Sequence, residues 1–353
     1  MTRAQFRCGA FLIGEPMNPY VIAEIGVNHE GNLELAKRLI EEASRGGAHA
    51  AKFQSYKADL IACRESPAYW DRSQEPTSSQ HELFRKYDSF EPDDYRALAE
   101  HCRSHGIDFM STPFDLGAVA WLDPLVPMFK IASADITNVP LIRRCAATGK
   151  PLLISTGAAL LPEIELAVET AKAAGARDIA LLHCILRYPT EPDNARLAMI
   201  GELAQRFPRC VVGYSDHVIP DAALSALEAA TLLGACVLEK HFTYDKTRPG
   251  NDHYHAMDEA DLRRFMAKLA RYRQMYASNG TERPLEQDAR LHARRSIVAA
   301  RDIRAGTALA ERDLIAKRPG HGISPVHWDD VIGRTAARDI SEDAVLTWDM
   351  LRD

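Results

Sequence analysis

Short apolar runs rich in β-branched residues alternate along most of the chain with longer segments of helical periodicity. This alternation predicts parallel strands joined by crossover helices, which excludes a sandwich of short antiparallel strands. The predicted strands are Tyr20–Val27, Ala48–Ser55, Ile107–Pro113, Met128–Ser133, Pro151–Thr156, Ile179–Ile185, Cys210–Ser215 and Cys236–Phe242. Eight βα units in roughly 280 residues are the size and pattern of an α/β fold of the (β/α)8 TIM-barrel type.

The segments between the strands carry helix signals and one long loop signal. Asn32–Arg45 begins with a capping residue and is followed by two glycines that end a helix. Glu259–Ala277 predicts another helix, with Asp258 as its cap. An open doubly wound sheet is the competing fold, but no GxGxxG turn follows the first strand. The polar stretch Arg64–Gln80 predicts a loop over the barrel mouth.

The pattern changes after residue 279. We predict a catalytic barrel over residues 1–279, a polar linker over 280–293 and a small domain over 294–353. The small domain contains an internal sequence repeat, because the segment Ala299–Ile303 recurs as Ala336–Ile340 and leucines follow both copies at matching offsets. Two similar halves indicate a pseudo-symmetric, mostly β unit that is small enough to need a larger surface to pack on.

Composition excludes several classes of protein. The net charge is −6 and no run of lysine or arginine occurs, which argues against a nucleic-acid surface. The apolar runs are strand-sized and the N-terminus lacks the core of a secretory signal, so we expect a cytoplasmic protein without membrane contact. Seven cysteines without CxxC spacing predict reduced core thiols rather than disulfides or a zinc knuckle.

Polar residues follow nearly every predicted strand, and the carboxyl ends of barrel strands are where functional side chains lie. Two lysines and four hydroxyl residues would converge there and suit a small phosphate-bearing acid. The set is Lys52, Lys130, Thr112, Ser133, Ser155 and Ser215. Two alternatives stay open: a lysine at a strand end can be solvated and without function, or it can form a Schiff base as in barrel aldolases.

His217 and His241 end neighbouring strands and could share a metal while leaving positions open for substrate. Two imidazoles without thiolates suit Mn, Co, Zn or Fe better than Mg. The alternative is that both are hydrogen-bonded structural residues. His253 and His255 also have metal-like spacing, but their place in a loop predicts exposure to solvent.

Glu24 lies on an apolar strand, so burial should raise the pKa of its carboxyl. It could serve as an acid, a base or a group that orients water. The alternative is an ion pair with a neighbouring lysine.

Taken together, these residues resemble the sialic acid synthase family, which includes legionaminic and pseudaminic acid synthases. The resemblance covers almost the whole chain. The motifs that carry it are AEIGVNHEG from Ala23, KFQ from Lys52, STPF from Ser111, KIASAD from Lys130, STG from Ser155, LHC from Leu182 with YPT from Tyr188, GYSDH from Gly213, EKHFT from Glu239, RPGNDH from Arg248 and KRPGHGISP from Lys317.

The resemblance implies a TIM barrel followed by a small antifreeze-like (SAF, β-clip) domain that covers the partner's active site in a domain-swapped homodimer. It implies that Lys52, Thr112, Lys130, Ser133, Ser155 and Ser215 bind phosphoenolpyruvate and that Glu24, Lys52, Lys130 and Asp216 are catalytic, Asp216 by orienting His217. It implies that His217 and His241 hold a divalent metal, Mn²⁺ first and Co²⁺ or Mg²⁺ as alternatives. It implies that Gln54, Tyr188 and Asp252 face the sugar, joined by Arg318 from the other subunit.

The implied activity is that of a transferase which condenses phosphoenolpyruvate with an N-acylated aminohexose such as N-acetylmannosamine and releases phosphate by C–O cleavage. Two alternatives remain: a related synthase acting on another aldose or aldose phosphate, and a non-catalytic antifreeze-like binding protein. Three departures from the family pattern bear on the choice of sugar: Ile185–Arg187, Asp135 and the histidine-rich loop. The sequence therefore leaves the acceptor, its phosphorylation and the downstream glycan open.

Overall fold

A computed structural model of the protein describes residues 4–70, 72, 75–250, 252–277 and 284–353. The chain divides into two compact units, with the division between Tyr276 and Ala277. Residues 278–283, which include the predicted end of the barrel at 279 and the start of the predicted linker, lie outside the described residues. The predicted boundaries at 279 and 293 therefore stay predictions.

The elements of the two units are numbered together in chain order. The strands of the first unit are β1 Phe6–Cys8, β2 Phe11–Ile13, β3 Tyr20–Gly26, β4 Ala50–Ser55, β5 Asp108–Pro113, β6 Phe129–Ile131, β7 Leu152–Ser155, β8 Ile179–Cys184, β9 Val211–Asp216 and β10 Val237–His241. Its helices are α1 Leu33–Gly46, α2 Ala58–Ile61, α3 Gln80–Tyr87, α4 Pro92–Ser104, α5 Leu116–Leu122, α6 Val139–Ala146, α7 Leu161–Ala173, α8 Met199–Arg206, α9 Ser225–Leu232 and α10 Glu259–Tyr276. The second unit contains α11 Gln287–His292, β11 Ser296–Ala299, β12 Leu314–Lys317, α12 Trp328–Val331, β13 Thr335–Ala336 and β14 Leu351–Arg352.

Strands β3 to β10 form one parallel sheet in the order β5-β4-β3-β10-β9-β8-β7-β6. The first and last of these strands pair with each other, as Leu238 opposite Val21 shows, and β5 lies beside β6 to complete the ring. A doubly wound sheet would keep its first and last strands apart, so the TIM-barrel prediction is confirmed. Each predicted strand is present, with its ends moved by no more than a few residues.

The helix signals in the sequence are confirmed at both predicted helices. The side chain of Asn32 accepts hydrogen bonds from the amides of Glu34 and Leu35, and Gly47 ends α1 with a φ of 93° that a residue with a side chain rarely adopts. At α10, Asp258 Oδ1 accepts from the amide of Asp261 at 2.9 Å. These caps fix where the helices begin and therefore which face packs on the barrel.

The alternation of side chains along each strand separates the two faces of the barrel wall. Residues such as Val21, Ala23 and Phe53 face outward into the apolar layer between strands and helices. The alternate residues face the barrel interior. There, Ile22 is followed by Glu24 one step further along β3, so the interior changes from apolar to charged toward the carboxyl ends of the strands.

The amino-terminal end of the barrel interior is filled by a cluster that we call the floor. It consists of Phe6, Cys8, Ile13, Tyr20, Ile22, Ala50, Met110, Met128, Leu153, Ala180, Leu182, Val211, Cys236 and Val237. The antiparallel pair β1–β2 supplies Phe6 and Ile13, and this hairpin is why the end of the barrel is packed with side chains rather than open to water.

The second unit has its own apolar core and shows the internal symmetry expected from the sequence repeat. Strands β11 and β12 pair antiparallel, and β13 pairs with β14 in the same sense. Ile303 and Ile340, which occupy equivalent places in the two halves, exchange two backbone hydrogen bonds of 2.8 Å. Both are buried together with the leucines of the repeat, which are Leu309, Leu314, Leu346 and Leu351.

Two predictions from composition can be compared with this fold. No helix in the described part of the chain is both long enough and apolar enough to span a membrane. Six of the seven cysteines are buried and Cys63 is exposed, which agrees with the prediction of core thiols.

Candidate active site

A cavity of about 500 Å³ opens at the carboxyl ends of the barrel strands, a size typical of small-molecule sites. Strand-end side chains form its base. Tyr69, Trp70 and Glu75 from the predicted mouth loop line it as well, so the loop prediction is confirmed; residues 71, 73 and 74 of that loop lie outside the described residues.

Glu24 and Lys52 form a buried ion pair at the base of the cavity, because the register of β3 and β4 places them side by side. Lys52 Nζ lies 2.7 Å from Glu24 Oε2 and donates to Thr112 Oγ1 at 3.1 Å. Gln54 Nε2 donates to Glu24 Oε1 at 2.9 Å. The ion pair that the sequence left as an alternative for Glu24 is therefore present, inside the cavity.

Glu239 lies between the two lysines and is a site residue that the sequence analysis did not select. Its carboxylate oxygens are each 3.6 Å from an ammonium, one from Lys52 and one from Lys130, and Ser215 donates to it at 3.0 Å. Two residues along a strand return to the same face, so the inward direction of His241 could have identified Glu239.

Burial and charge oppose each other in this cluster. Burial raises the pKa of Glu24 although Lys52 opposes it, and burial also lowers the pKa of Lys130. Burial works against the ionised form of Glu239, but Lys130 and Lys52 outweigh it and lower the pKa of that carboxyl. The cluster therefore holds ionised groups that only their mutual contacts stabilise.

Two hydroxyls and one ammonium retain unused hydrogen-bonding capacity at the cavity base. Ser155 Oγ is buried and has no hydrogen-bond partner among the described residues. Lys130 Nζ makes one weak hydrogen bond of 3.4 Å to Ile131 O. Ser133 Oγ accepts from the Gly157 amide at 3.0 Å, so its own proton is available. All three residues line the same cavity.

His217 is held in one orientation by the backbone. Its Nδ1 lies 2.8 Å from the carbonyl oxygen of Ile185, which can only accept, so Nδ1 carries the proton and Nε2 is left as the ligand atom. Asp216 is not the orienting group that the resemblance implied. It faces outward on β9 and binds Lys240 Nζ at 2.7 Å, Tyr214 Oη at 2.9 Å and the Val218 amide.

His241, Asp252 and His255 meet beside His217, with one possible ligand atom from each lying within 4.8 Å of the others. His241 Nδ1 is 3.2 Å from Asp252 Oδ2. Burial lowers the pKa of both histidines, which keeps their imidazoles neutral as metal ligands must be. Burial raises the pKa of Asp252 to about 6. These donors fit a divalent cation, and no disulfide or hydrogen-bond network competes for the two imidazoles within the described residues.

The expectation that His253 and His255 are exposed is wrong, because their exposed fractions are 1% and 0%. The amide of Met257 donates to the carbonyl of His241, and Thr243 donates to that of Met257, which pins the loop along the end of β10. A tertiary contact of this kind, which the loop sequence alone does not reveal, buries both rings.

The remaining residues implied to contact the sugar lie in two places. Gln54, Tyr188 and Asp252 line the cavity, as do Asp135 and Leu186 from the departures noted above. Tyr188 packs its ring on His217 with centroids 4.2 Å apart. Arg318 belongs to the second unit, where it is exposed; its guanidinium has no hydrogen bond or ion pair within the described residues.

Comparison with known proteins assigns this arrangement to a family. The model of the NeuB family matches residues 39–281, and that of the SAF domain matches residues 294–352. The chain belongs to the NeuB family. The chain is 36% identical over 345 residues to the N,N'-diacetyllegionaminic acid synthase of Legionella pneumophila, covering 95% of each protein.

Two further relatives agree with this membership. The N-acetylneuraminate-9-phosphate synthase of Drosophila melanogaster is 33% identical over 355 residues, covering 92% of this chain and 93% of that protein. The crystal structure of N-acetylneuraminic acid synthetase from Leptospira borgpetersenii, in complex with citrate, superposes with a TM-score of 0.71 at 30% identity. That match covers 81% of this chain and 95% of the other. The NeuB match falls on the barrel unit of this chain, and the SAF match falls on the second unit.

Proposed function

We propose that this chain condenses phosphoenolpyruvate with an N-acylated aminohexose, such as N-acetylmannosamine, to form a sialic-acid-type keto acid and phosphate. Membership of the NeuB family supports the proposal, as do the names of the relatives. The observation that carries it is the set of buried donors with unused capacity, Lys130 and Ser155 foremost, at the base of one cavity beside the imidazole cluster.

Phosphoenolpyruvate binds at the base of this cavity. Charge-assisted hydrogen bonds to phosphate are about 2.7–2.9 Å long. Lys130 lies 3.6 Å from Glu239, so it can turn toward an incoming phosphate oxygen without losing a short bond. Lys52, Thr112, Ser133 and Ser155 supply further donors, and Ser215 joins them when its hydroxyl turns from Glu239 to the ligand.

Bond formation joins the enol carbon of phosphoenolpyruvate to the aldehyde carbon of the open-chain sugar. Water adds to the carbon that bears the phosphate, and the C–O bond to phosphate then breaks. Glu24 orients or deprotonates this water, since burial raises the pKa of its carboxyl and makes the carboxylate a stronger base. Gln54 and Lys52 hold the carboxylate in place.

A divalent metal, Mn²⁺ first, would be held by His217 and His241, whose rings are 5.5 Å apart between centroids. When bound it supplies Lewis-acid polarisation of the aldehyde. Tyr188 and Asp252 face the sugar from the same wall of the cavity. Removal of the metal with a chelator should abolish activity, and Mn²⁺ or Co²⁺ should restore it.

Phosphate release from phosphoenolpyruvate over a panel of aminosugars and aldose phosphates tests the proposed reaction. We expect release with N-acetylmannosamine or a related N-acylated aminohexose, and ¹⁸O in the bridging oxygen should leave with phosphate. Release only with an aldose phosphate would identify the related synthase instead. No release with any sugar in the presence of Mn²⁺ would favour the non-catalytic alternative.

The second part of the proposal is that the enzyme is a cytoplasmic, domain-swapped homodimer in which Arg318 of the partner subunit binds the sugar. Two observations support it: the guanidinium of Arg318 is exposed and has no partner among the described residues, and the second unit has its own apolar core. A chain with Arg318→Ala mixed with a chain with Lys130→Met should regain activity, because one site per heterodimer combines an intact barrel with an intact arginine. Heterodimers as inactive as both parents would contradict the swap.

A further inference from the structure

His255 is a buried histidine to which the proposed metal pair, His217 and His241, assigns no role. Its exposed fraction is 0%, and neither ring nitrogen has a hydrogen-bond partner among the described residues. A buried polar group without a hydrogen-bond partner destabilises the folded protein unless a ligand binds it. A histidine of this kind is therefore expected to have a ligand.

The atoms around His255 point to a cation as that ligand. Nε2 of His255 lies 3.8 Å from Asp252 Oδ1, while Nδ1 of His241 lies 3.2 Å from Asp252 Oδ2. Two atoms each about 2.1 Å from one ion are at most about 4.2 Å apart. Both separations lie within that limit. Neither is a hydrogen bond, since His255 Nε2 and His241 Nδ1 are buried without a hydrogen-bond partner among the described residues.

Packing holds the His255 ring in this place. Its centroid is 4.9 Å from those of His241 and Tyr254, and 5.5 Å from that of Tyr188. Tyr254 in turn donates to the carbonyl of Tyr188 at 3.1 Å. A ring fixed by neighbours on several sides loses little further freedom when it binds a metal, which favours tight binding.

We propose that His255 is a direct ligand of the divalent cation and that it acts with His241 and Asp252 as a two-nitrogen, one-oxygen set. This inference rests on the metal requirement in the proposed function and adds His255 and Asp252 to the pair His217 and His241. Each added imidazole raises the preference for Co²⁺ and Zn²⁺ over Mg²⁺, since imidazole suits the transition metals and Mg²⁺ prefers oxygen.

His253 provides a matched control in the same loop. It is also buried, but its Nδ1 lies 2.7 Å from Thr243 Oγ1 and its Nε2 lies 3.5 Å from Glu30. Its hydrogen-bonding capacity is used within the protein. A variant at His253 therefore disturbs the loop without removing a proposed ligand.

The test is a titration of the full-length, chelator-stripped protein with Co²⁺, followed by visible absorption and by competition with a chelating dye. His255→Ala and His255→Phe should each weaken Co²⁺ binding about tenfold or more and change the absorption band. His253→Ala should keep the Kd within about twofold. Added imidazole should restore the band in His255→Ala but not in His255→Phe, where the new ring fills the space.

Unchanged Kd and absorption in His255 variants that unfold at the same temperature as the parent would overturn the proposal. An equal loss in His253→Ala would also overturn it, because the effect would then belong to the loop. The outcome is separate from that of the proposed function: a protein that binds Co²⁺ through His255 yet releases no phosphate with any sugar refutes the reaction alone.

Discussion

The two ends of the barrel interior bury opposite kinds of side chain. The floor consists of apolar residues such as Ile13, Met110 and Leu153, all fully buried. The mouth, a few residues further along the same strands, buries Glu24, Lys52, Lys130 and Glu239 with exposed fractions of at most 6%. The same strands and the same alternation therefore serve two ends with opposite physical chemistry.

This difference shows which end of the barrel stabilises the fold and which end is suited to binding and catalysis. Burying apolar surface contributes about 25 cal/mol per Å², whereas burying ion pairs is roughly neutral or costs free energy. A charged cluster at the base of a cavity is therefore not retained for stability. The hairpin β1–β2 stabilises one end so that the other can hold charges ready for an anionic ligand.

The largest expected effect distinguishes two buried lysines, of which only one lines the cavity. Lys130→Met should lower kcat/KM for phosphoenolpyruvate about 10²- to 10³-fold, because a preorganised donor to the phosphate is lost. The unfolding temperature of this variant should change little, because Glu239 loses the ammonium of Lys130 but retains that of Lys52 as a neighbouring cation. Steady-state kinetics and thermal unfolding measure both quantities.

Lys240→Met is the matched control. Lys240 is as buried as Lys130 but pairs with the outward-facing Asp216. We expect a loss of about 3 kcal/mol in stability, because Asp216 loses its cation, and a KM for phosphoenolpyruvate within about twofold of the parent. A Lys240 variant that loses phosphoenolpyruvate binding as severely as Lys130→Met would contradict the division between cavity and wall.

The next prediction concerns the floor. Ile13→Ala should lower the free energy of unfolding by about 2–3 kcal/mol, because it leaves a cavity in the cluster that the hairpin fills. The kcat of the variant and its KM for phosphoenolpyruvate should equal those of the parent under conditions where the variant is folded. Urea unfolding gives the stability, and a KM for phosphoenolpyruvate that rises together with instability would show that the two ends are coupled.

The smallest effect is a pH dependence at His49, whose ring stacks on Tyr20 of the floor. Burial, together with Arg273, lowers the pKa of His49 to about 4, and its Nδ1 accepts from the Val21 amide. The folded pKa lies below the unfolded value of 6.5, so this contribution to stability is present above pH 6.5 and is lost as pH falls toward 4. In His49→Leu, the fall in unfolding temperature across that range should be smaller. An unchanged slope would assign the acid sensitivity to other groups.

Several features of the fold and of the site could be predicted from the sequence because they are local or periodic. The caps of α1 and α10 follow from Asn32 and Asp258 alone. The alternation along a strand would also have corrected two assignments. It places Glu239 inward with His241, and it places Asp216 outward with Lys240, which is its partner across the β9–β10 register.

What the sequence by itself determined is the order of the strands and helices, the barrel that closes them, and the strand ends where Lys52, Lys130, His217 and His241 appear. These follow from periodicity and caps, which depend on neighbours along the chain. Only the tertiary structure decided that Glu239 lies between two lysines and that the loop after β10 folds back to bury His255 beside Asp252. Those contacts join residues whose spacing in the chain carries no period, and they form because the closed barrel brings separate strand ends within a few ångströms of each other.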